Sequence, residues 1–316
     1  MNILFAGNKS RGTLCLRALH EREHRIVGVL AHPAPGEPAA GSVAAAAREL
    51  SVPLWQPEDV NAPAMLASLR ALRPDLIVMV GYSPIVGRAF LELAPRGGLN
   101  LHGGKLPQYR GSSPMNWALI NGEREFTISV VRADTGVDTG EVLSERTFPI
   151  GLHDTIADVQ RLADDAFPGL LLDVVERLAR GPVRGRAQDG SQAGYYPLRF
   201  PEDGLILWDL YTAEQAHNRI RALTDPYPGA FTWWKGRRVK LRRSALAKQR
   251  RYGEAGRVYL NSERGVLICA KDRCLWIEQA VVEDTGEPLR EVVARYDQMA
   301  TLRQLAVSAL NAGVAL

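Results

Sequence analysis

Cysteine is scarce in this chain of 316 residues, which contains only Cys15, Cys269 and Cys274. An odd number of cysteines cannot form a complete disulfide framework. None of the three stands with cysteine or histidine partners in a pattern typical of a zinc site. We therefore expect reduced thiols and no metal centre.

Long apolar runs are missing as well. No run approaches the roughly 20 residues that a membrane-spanning helix needs. The chain opens at once with the strand-like NILFA, where a secreted protein would carry a basic and hydrophobic leader. These absences predict a soluble, cytoplasmic protein with no membrane partner.

Common signatures of nucleophilic and nucleotide chemistry are also absent. There is no GxSxG turn, so the sequence offers no obvious protein nucleophile. The turn AGNKSRG at residues 6–12 is neither a GxGxxG fingerprint nor a phosphate loop with its lysine. We favour a plain tight turn there over a phosphate site.

Alternating strand and helix patterns fill the N-terminal half. The segments NILFAG, TLCLRALHE and RIVGVLAH follow the strand, helix, strand order of a parallel α/β sheet. The run PDLIVMVGYSP adds a buried strand that ends at Tyr82 and Ser83, where open α/β sheets place ligands. We predict a Rossmann-like sheet, with these two side chains contacting the substrate.

The second half has the pattern of a different domain. Short strand-like segments such as FTWWKGRRVKLRRS, GRVYLN and CLWIEQA are separated by turns, which favours a small β-barrel. A segment rich in Gly and Pro precedes them. We predict a catalytic domain at 1–182, a linker at 183–204 and an OB-like barrel domain at 205–316.

Polar side chains concentrate between residues 100 and 141. Asn100 and His102 stand two apart at the end of an apolar run, so on an extended backbone both face the same side. The following GGKLPQYRGSSP has the composition of a loop. A strand at 126–131 then delivers DTGVDTG, a turn that carries Asp134 and Asp138. The second turn could bring a carboxylate to the imidazole.

Together these residue types suit acyl transfer. The Asn100 amide could stabilise negative charge on a carbonyl oxygen, while His102 takes the proton of an attacking amine. A carboxylate beside the imidazole would hold its tautomer and favour its charged form. Without a protein nucleophile, direct transfer from a bound donor is the simpler mechanism.

Each of these residues also has a simpler interpretation. An Asn or His near a strand end often forms a turn or a cap. Asp134 and Asp138 stand beside glycines and could be Asx-turn formers. Lys105 and Arg110 could be solvated loop charges. Spacing alone leaves both interpretations open.

The same motifs resemble those of a known family. The Asn-x-His pair, the LPQYRGSSP loop and the later DTG turn resemble, in that order, the signature of folate-dependent formyltransferases. This family includes methionyl-tRNA formyltransferase and the nucleotide-sugar N-formyltransferases. The segment WDLYTAEQAHNRIRALTDPYPGAFTWWKGRRVK also resembles the start of the family's C-terminal barrel.

The resemblance implies roles for individual residues. Asn100 would stabilise the transition state, His102 would transfer the proton, and Asp138 would act on His102. The donor implied is 10-formyltetrahydrofolate, with no metal. The acceptor would contact Tyr82, Ser83, Lys105 and Arg110. The residues implied to bind the pterin ring are Pro84, Ile85, Val86, Asp134, Thr135, Gly136 and Val137.

The acceptor amine is the open question. Methionyl-tRNA formyltransferases usually carry a basic insertion after the second strand, whereas this chain has the nearly neutral HPAPGEPAAGSV. The blocks GSVAAAARELSVPLWQPEDVN and SPMNWALINGE resemble the enzyme that N-formylates UDP-4-amino-4-deoxy-L-arabinose. We therefore expect a nucleotide-linked amino sugar as acceptor, with methionyl-tRNA as the alternative.

One basic stretch supports the alternative. KGRRVKLRRSALAKQRR, at 235–251, could mark nucleic-acid binding. Its charges alternate with Val239 and Leu241, as in a strand with one solvated face, and the net charge is only +4. We therefore expect no nucleic-acid partner. A non-catalytic binding protein is a third hypothesis, and a homodimer is possible.

Overall fold

The computed structural model describes residues 1–34 and 36–311. The chain divides into two compact units. An N-terminal unit comprises residues 1–114, 126–148 and 160–197, and a C-terminal unit comprises residues 115–125, 149–159 and the chain from 198 onward. The predicted domain limits stay a prediction. Positions 312–316 of the predicted barrel domain, and Pro35 in the segment HPAPGEPAAGSV, lie outside the described residues.

A seven-stranded sheet forms the centre of the N-terminal unit, in the order β3-β2-β1-β4-β5-β7-β8. The first five strands of that order are parallel, and β7 runs antiparallel to β5. The strands of this unit are β1 (Asn2–Gly7), β2 (Arg25–Ala31), β3 (Leu54–Trp55), β4 (Leu76–Val80), β5 (Gly98–His102), β6 (Arg110–Gly111), β7 (Glu125–Ala133), β8 (Val142–Pro149) and β9 (Tyr195–Tyr196).

Helices accompany this sheet in alternation with its strands. They are α1 (Lys9–Glu21), α2 (Val43–Glu49), α3 (Pro63–Ala71), α4 (Arg88–Leu91) and the later α6 (Ile156–Arg180). Strand β4, with the sequence LIVMV, is buried at every residue, as a central parallel strand covered on both faces must be. This architecture confirms the predicted Rossmann-like α/β fold.

The register of three neighbouring strands positions the site. Gly7 at the end of β1 pairs with Val80 at the end of β4, and Val80 pairs with Leu101 in β5. The residues that follow these strands therefore meet at one edge of the sheet, the edge where α/β proteins bind ligands. His102 ends β5 at this edge.

The C-terminal unit is built on a five-stranded antiparallel sheet in the order β10-β11-β14-β13-β12. Its strands are β10 (Ala230–Trp234), β11 (Arg237–Leu246), β12 (Val258–Ser262), β13 (Gly265–Cys269) and β14 (Cys274–Val282). Its helices are α5 (Pro114–Ile120), α7 (Ala213–Leu223), α8 (Leu289–Val292) and α9 (Leu302–Asn311). This confirms a second domain, built on an antiparallel β-sheet, after the α/β domain.

Side-chain hydrogen bonds stabilise this second unit. Thr212 caps α7 with a reciprocal capping box to Gln215, which satisfies two backbone N–H groups at the helix start. The fully buried Trp208 donates from its indole nitrogen to the Thr232 hydroxyl at 3.1 Å. A buried tryptophan needs such a partner for its only donor.

The cysteines differ from expectation. Cys269 and Cys274 face each other in the antiparallel register of β13 and β14, and their sulfur atoms are paired. The prediction of reduced thiols is therefore wrong for these two residues. Cysteine spacing could not show the pairing, because the register that brings the two together is set by the turn between the strands. Cys15 is a buried free thiol.

None of the helices in the described ranges is long and apolar enough to cross a membrane.

Candidate active site

Three polar side chains meet at the carboxyl end of β5. Asn100 donates from Nδ2 to Oδ1 of Asp138 at 3.0 Å. The other carboxylate oxygen of Asp138 lies 3.5 Å from Nδ1 of His102. The His102 and Asp138 side chains are only 6% and 10% exposed. The structure thus brings together the three residues that the sequence proposed as catalytic.

The second ring nitrogen of His102 faces the backbone. Nε2 lies 2.6 Å from the carbonyl oxygen of Tyr109. Since a carbonyl oxygen only accepts, Nε2 carries a proton and Nδ1 is the nitrogen directed at Asp138. The loop can lie this close to the ring because residue 104 is glycine. A Cβ on Gly104 would come within 2.8 Å of His102 Nε2 and 2.7 Å of Tyr109 O.

The turn that carries Asp138 is tightly constrained. Asp138 has a φ of 53°, in the left-handed region that side chains other than glycine rarely adopt. Its carboxylate also accepts a 2.9 Å hydrogen bond from the N–H of Gly111. Asp134 has the turn-forming role that the sequence left open, because its Oδ1 accepts from Gly136 N and from the Thr139 hydroxyl.

A cavity of about 160 Å³ is lined by two of these three residues, Asn100 and Asp138. It is smaller than the 300–1,000 Å³ typical of sites for drug-sized ligands, so it suits one end of a larger molecule. Ile85 and Val137, both predicted to bind the donor, are 83% and 53% exposed. The lining residues are Met79, Tyr82, Ser83, Pro84, Ile85, Val86, Asn100, Val131, Arg132, Ala133, Asp134, Thr135, Gly136, Val137 and Asp138.

The four predicted acceptor contacts fall in different places. Tyr82 and Ser83 line the same cavity as the predicted pterin residues. Lys105 is exposed on its loop. Arg110 is buried, and its guanidinium donates to Gln188 and to the Tyr195 hydroxyl. The Arg110 guanidinium is thus engaged by side chains of its own unit, and its predicted contact with the acceptor stays a prediction.

Two residues outside the sequence-based prediction hold the cavity wall. Nε2 of His32 accepts from the N–H of Ser83 at 3.2 Å. Asn61 donates to the carbonyl of Ile85 and accepts from the N–H of Gly87. Burial, together with the nearby charge of Lys9, lowers the pKa of His32, which keeps this ring neutral and able to accept. The position of His32 just after β2 was the available signal.

The basic stretch has a mixed environment in the C-terminal unit. Its arginines on β11 form ion pairs: Arg237 with Asp284 and Glu287, Arg238 with Glu283, Arg242 with Asp225, and Arg243 with Glu278. Beyond the strand, Lys248, Arg250 and Arg251 are exposed. Nothing in the described part of the chain forms an ion pair with these three cations.

The described residues contain no group of three or more His, Cys, Asp or Glu side chains arranged to hold a metal ion. The polar constellation instead has the components of acyl transfer: an amide donor, an imidazole and an orienting carboxylate. Models of protein families agree with this chemistry. The formyl transferase model matches residues 1–175, and the model of the formyl transferase C-terminal domain matches residues 200–287.

The chain belongs to the formyltransferase family. This confirms the expectation of an enzyme that depends on 10-formyltetrahydrofolate. A methionyl-tRNA formyltransferase from Anaeromyxobacter dehalogenans is 36% identical over 307 residues, which cover 93% of this chain and 95% of that protein. Curated relatives at 32–36% identity share this name.

These relatives correct the predicted acceptor. A nucleotide-linked amino sugar was expected, yet relatives aligned over about nine tenths of the chain are named for methionyl-tRNA. The prediction of an amino-sugar acceptor is therefore wrong, and the neutral segment after β2 does not exclude tRNA. Exposed cations need not lie in that segment, since the C-terminal unit carries them at 248–251.

Solved structures share the fold. The N-formyltransferase from Helicobacter canadensis, in complex with folinic acid and dTDP-3-aminofucose, superposes with a TM-score of 0.69 at 18% identity, over 87% of this chain and 98% of that one. HypX from Aquifex aeolicus, in complex with tetrahydrofolic acid, gives a TM-score of 0.62 at 22% identity over 88% of this chain. This chain spans only 43% of the longer HypX protein.

Proposed function

We propose that this enzyme transfers the formyl group of 10-formyltetrahydrofolate to the α-amine of the methionyl group on charged initiator tRNA. The observation that carries the proposal is the 32–36% identity to proteins named methionyl-tRNA formyltransferase over about 90% of the chain. The likeness to a structure with a bound amino-sugar nucleotide is at 18% identity and supports the fold alone.

The cavity fits the formyl donor. Apolar side chains such as Met79 and Val131 form its walls, while Asn100 and Asp138 supply polar groups. A flat heterocycle with polar edges needs this combination. When bound, 10-formyltetrahydrofolate supplies the carbon that is transferred. The small volume suits the ring end of the molecule, with the rest of it passing the exposed Ile85.

The three polar residues divide the work of the reaction. The unprotonated amine nitrogen attacks the formyl carbon, the new C–N bond replaces the bond to the folate nitrogen, and the amine proton ends on that nitrogen. Asn100 donates an N–H to the oxygen that gains negative charge. His102 holds the proton in transit, and Asp138 stabilises its charged form.

The C-terminal unit offers a surface for the tRNA. Lys248, Arg250 and Arg251 are exposed beside Tyr252, which is itself 68% exposed. Unpaired cations attract phosphates, and an exposed aromatic ring can stack on a base. The arginines of β11 are already ion-paired, so they attract phosphates less strongly. A nucleic-acid partner is therefore part of the proposal. The proposal also includes a cytoplasmic location and a homodimer.

The test is direct formylation. The enzyme is incubated with 10-formyltetrahydrofolate and one of four acceptors: methionyl initiator tRNA, uncharged tRNA, free methionine or an amino-sugar nucleotide. The mass of the recovered amino acid or sugar nucleotide is then measured. We expect one added formyl group on methionine from charged tRNA alone. The Asn100→Ala variant is the control for non-enzymatic transfer. Formylation of an amino-sugar nucleotide in place of charged tRNA would contradict the proposal.

A further inference from the structure

Part of the segment predicted to be a linker, residues 183–197, belongs to the N-terminal unit. We call residues 186–196 the connector. Strand β9 in the connector pairs in parallel with β6, so Tyr195 lies beside Arg110. The rings of Tyr109 and Tyr196 stack with their centroids 4.8 Å apart. The connector therefore packs against the loop that follows His102.

Gln188 in the connector joins this loop to the catalytic turn. Its Oε1 accepts from Arg110 Nε at 3.0 Å and from Arg110 Nη2 at 2.8 Å. Its Nε2 donates to the carbonyl of Asp138 at 2.8 Å and to the carbonyl of Gly140 at 2.7 Å. The donors on one side and the acceptors on the other fix which end of the amide is oxygen.

These contacts stabilise an unfavourable backbone conformation in the turn. Asp138 has a left-handed backbone, which a side chain disfavours and the surrounding structure must enforce. Gln188 donates to the carbonyl oxygens of residues 138 and 140, so it holds the backbone on both sides of residue 139. The Asp138 carboxylate is thereby fixed between Asn100 and His102.

Arg110 in turn fixes Gln188. Arg110 is only 5% exposed, and the remaining Nη1 of its guanidinium donates to the Tyr195 hydroxyl at 2.8 Å. A planar guanidinium that reaches one oxygen with two donors sets both the position and the plane of the amide. Tyr195 thus holds Arg110, Arg110 holds Gln188, and Gln188 holds the turn at Asp138.

We propose that Gln188, held by Arg110, is a positioning residue that keeps the Asp138 carboxylate on Asn100 and His102. The inference rests on the catalytic role given to Asp138 in the proposed function. It assigns Arg110 to the support of the catalytic turn. It also makes the connector a part of the active site.

Gln188→Glu tests the proposal most sharply. Glutamate keeps two acceptor oxygens for Arg110 but presents an oxygen where Nε2 donated to two carbonyls. In single-turnover reactions with methionyl-tRNA, we expect the rate constant to fall at least ten-fold while the fraction of enzyme that reacts stays the same. An unchanged rate constant, with or without a smaller reacting fraction, would overturn the proposal. Gln188→Met, which is neutral and of similar length, serves if the glutamate variant does not fold.

A second arm asks whether Gln188 acts through Asp138. In an Asp138→Ala background, Gln188→Glu should change the rate constant less than two-fold, because the carboxylate that it positions is gone. Two effects that multiply independently would contradict the inference. Gln192→Glu is the matched control, since Gln192 lies in the same connector and contacts Gln108 and Asp189, away from the catalytic turn.

A third arm needs no acceptor and so separates this inference from the proposed function. Amide hydrogen exchange across residues 134–141 should be several-fold faster in Gln188→Met than in the wild type, with the segment at 63–71 unchanged. Equal exchange in both proteins would overturn the inference. If the wild type does not formylate methionyl-tRNA, the proposed function fails, and this measurement still decides the role of Gln188.

Discussion

Oδ2 of Asp138 lies 3.5 Å from Nδ1 of His102, and both side chains are almost fully withdrawn from solvent. The imidazole therefore faces a carboxylate in a region of low dielectric, where charge interactions are strong. On its other side the ring faces the Tyr109 carbonyl. The two contacts hold the ring between a carboxylate and a backbone carbonyl and so fix its orientation.

Asp138→Asn should lower kcat by roughly two powers of ten, because the amide that replaces the carboxylate cannot stabilise a charged imidazole. Steady-state kinetics, with donor affinity measured separately by fluorescence quenching, would check this. The control is Asp165→Asn, which removes an exposed carboxylate from α6. Wild-type kcat in Asp138→Asn would remove the proposed role.

Gly104→Ala should destabilise the protein by about 1–3 kcal/mol, the usual cost of overpacking. The new Cβ would meet Pro114 Cβ and Tyr109 O at 2.7 Å each. Urea unfolding measures the change. Gly169→Ala is the matched control, since its added Cβ would meet nothing within 4 Å beyond its chain neighbours and the nearby backbone of its own helix, and we expect it to be neutral or slightly stabilising. Equal stability of the two variants would show that the loop can relax.

The C-terminal unit should lose stability in acid. Burial, helped by the charge of Arg221, lowers the pKa of His217 below the usual 6.5. The neutral ring is held between the Ser244 hydroxyl and the Leu152 carbonyl. Because the unfolded chain takes up the proton first, the free energy of unfolding should fall as the pH drops below about 6.5, by at most about 1.4 kcal/mol per pH unit for this group.

His217→Gln tests the origin of this slope. The variant should show a flatter dependence of unfolding free energy on pH between about 6.5 and 5. The same substitution at the exposed His20 controls for the loss of an imidazole. An identical slope in wild type and His217→Gln would assign the acid sensitivity to other groups.

Replacing Arg250 and Arg251 by glutamine should weaken tRNA binding and make it less dependent on salt. For every phosphate that the variant no longer neutralises, the slope of log affinity against log salt should become shallower by roughly 0.7–0.9. Arg237→Gln is the control, because that guanidinium is already paired with Asp284 and Glu287. Fluorescence anisotropy with labelled tRNA measures both quantities. A larger effect from Arg237→Gln would place the binding surface elsewhere.

The sequence predicted those features that depend on neighbouring residues. Asn100 and His102 are two apart on one strand, so their shared direction followed from strand geometry. The turn at Asp138 was visible from its glycines. The partnership of Arg110 with Gln188 was not, because the two residues are 78 positions apart and only the folded connector brings them together.

The prediction of the acceptor failed because it depended on the charge of a single segment. The neutral segment after β2 pointed away from tRNA, but counting charge in one segment ignores where other cations lie in the fold. Of the basic stretch, the arginines on β11 are largely paired, whereas Arg250 and Arg251 are exposed. Sequence could not separate these groups, because ion pairing across strands depends on register.

Formylation of methionyl initiator tRNA is the decisive experiment for the proposed activity. Purified enzyme, 10-formyltetrahydrofolate and the charged tRNA are mixed, and release of tetrahydrofolate is followed together with the mass of the amino acid recovered from the tRNA. We expect one tetrahydrofolate for each formyl group found on methionine, with His102→Ala slower by roughly a hundred-fold or more. Unmodified methionine after prolonged reaction would refute the proposed activity. A His102→Ala variant as fast as the wild type would refute the proposed role of the imidazole.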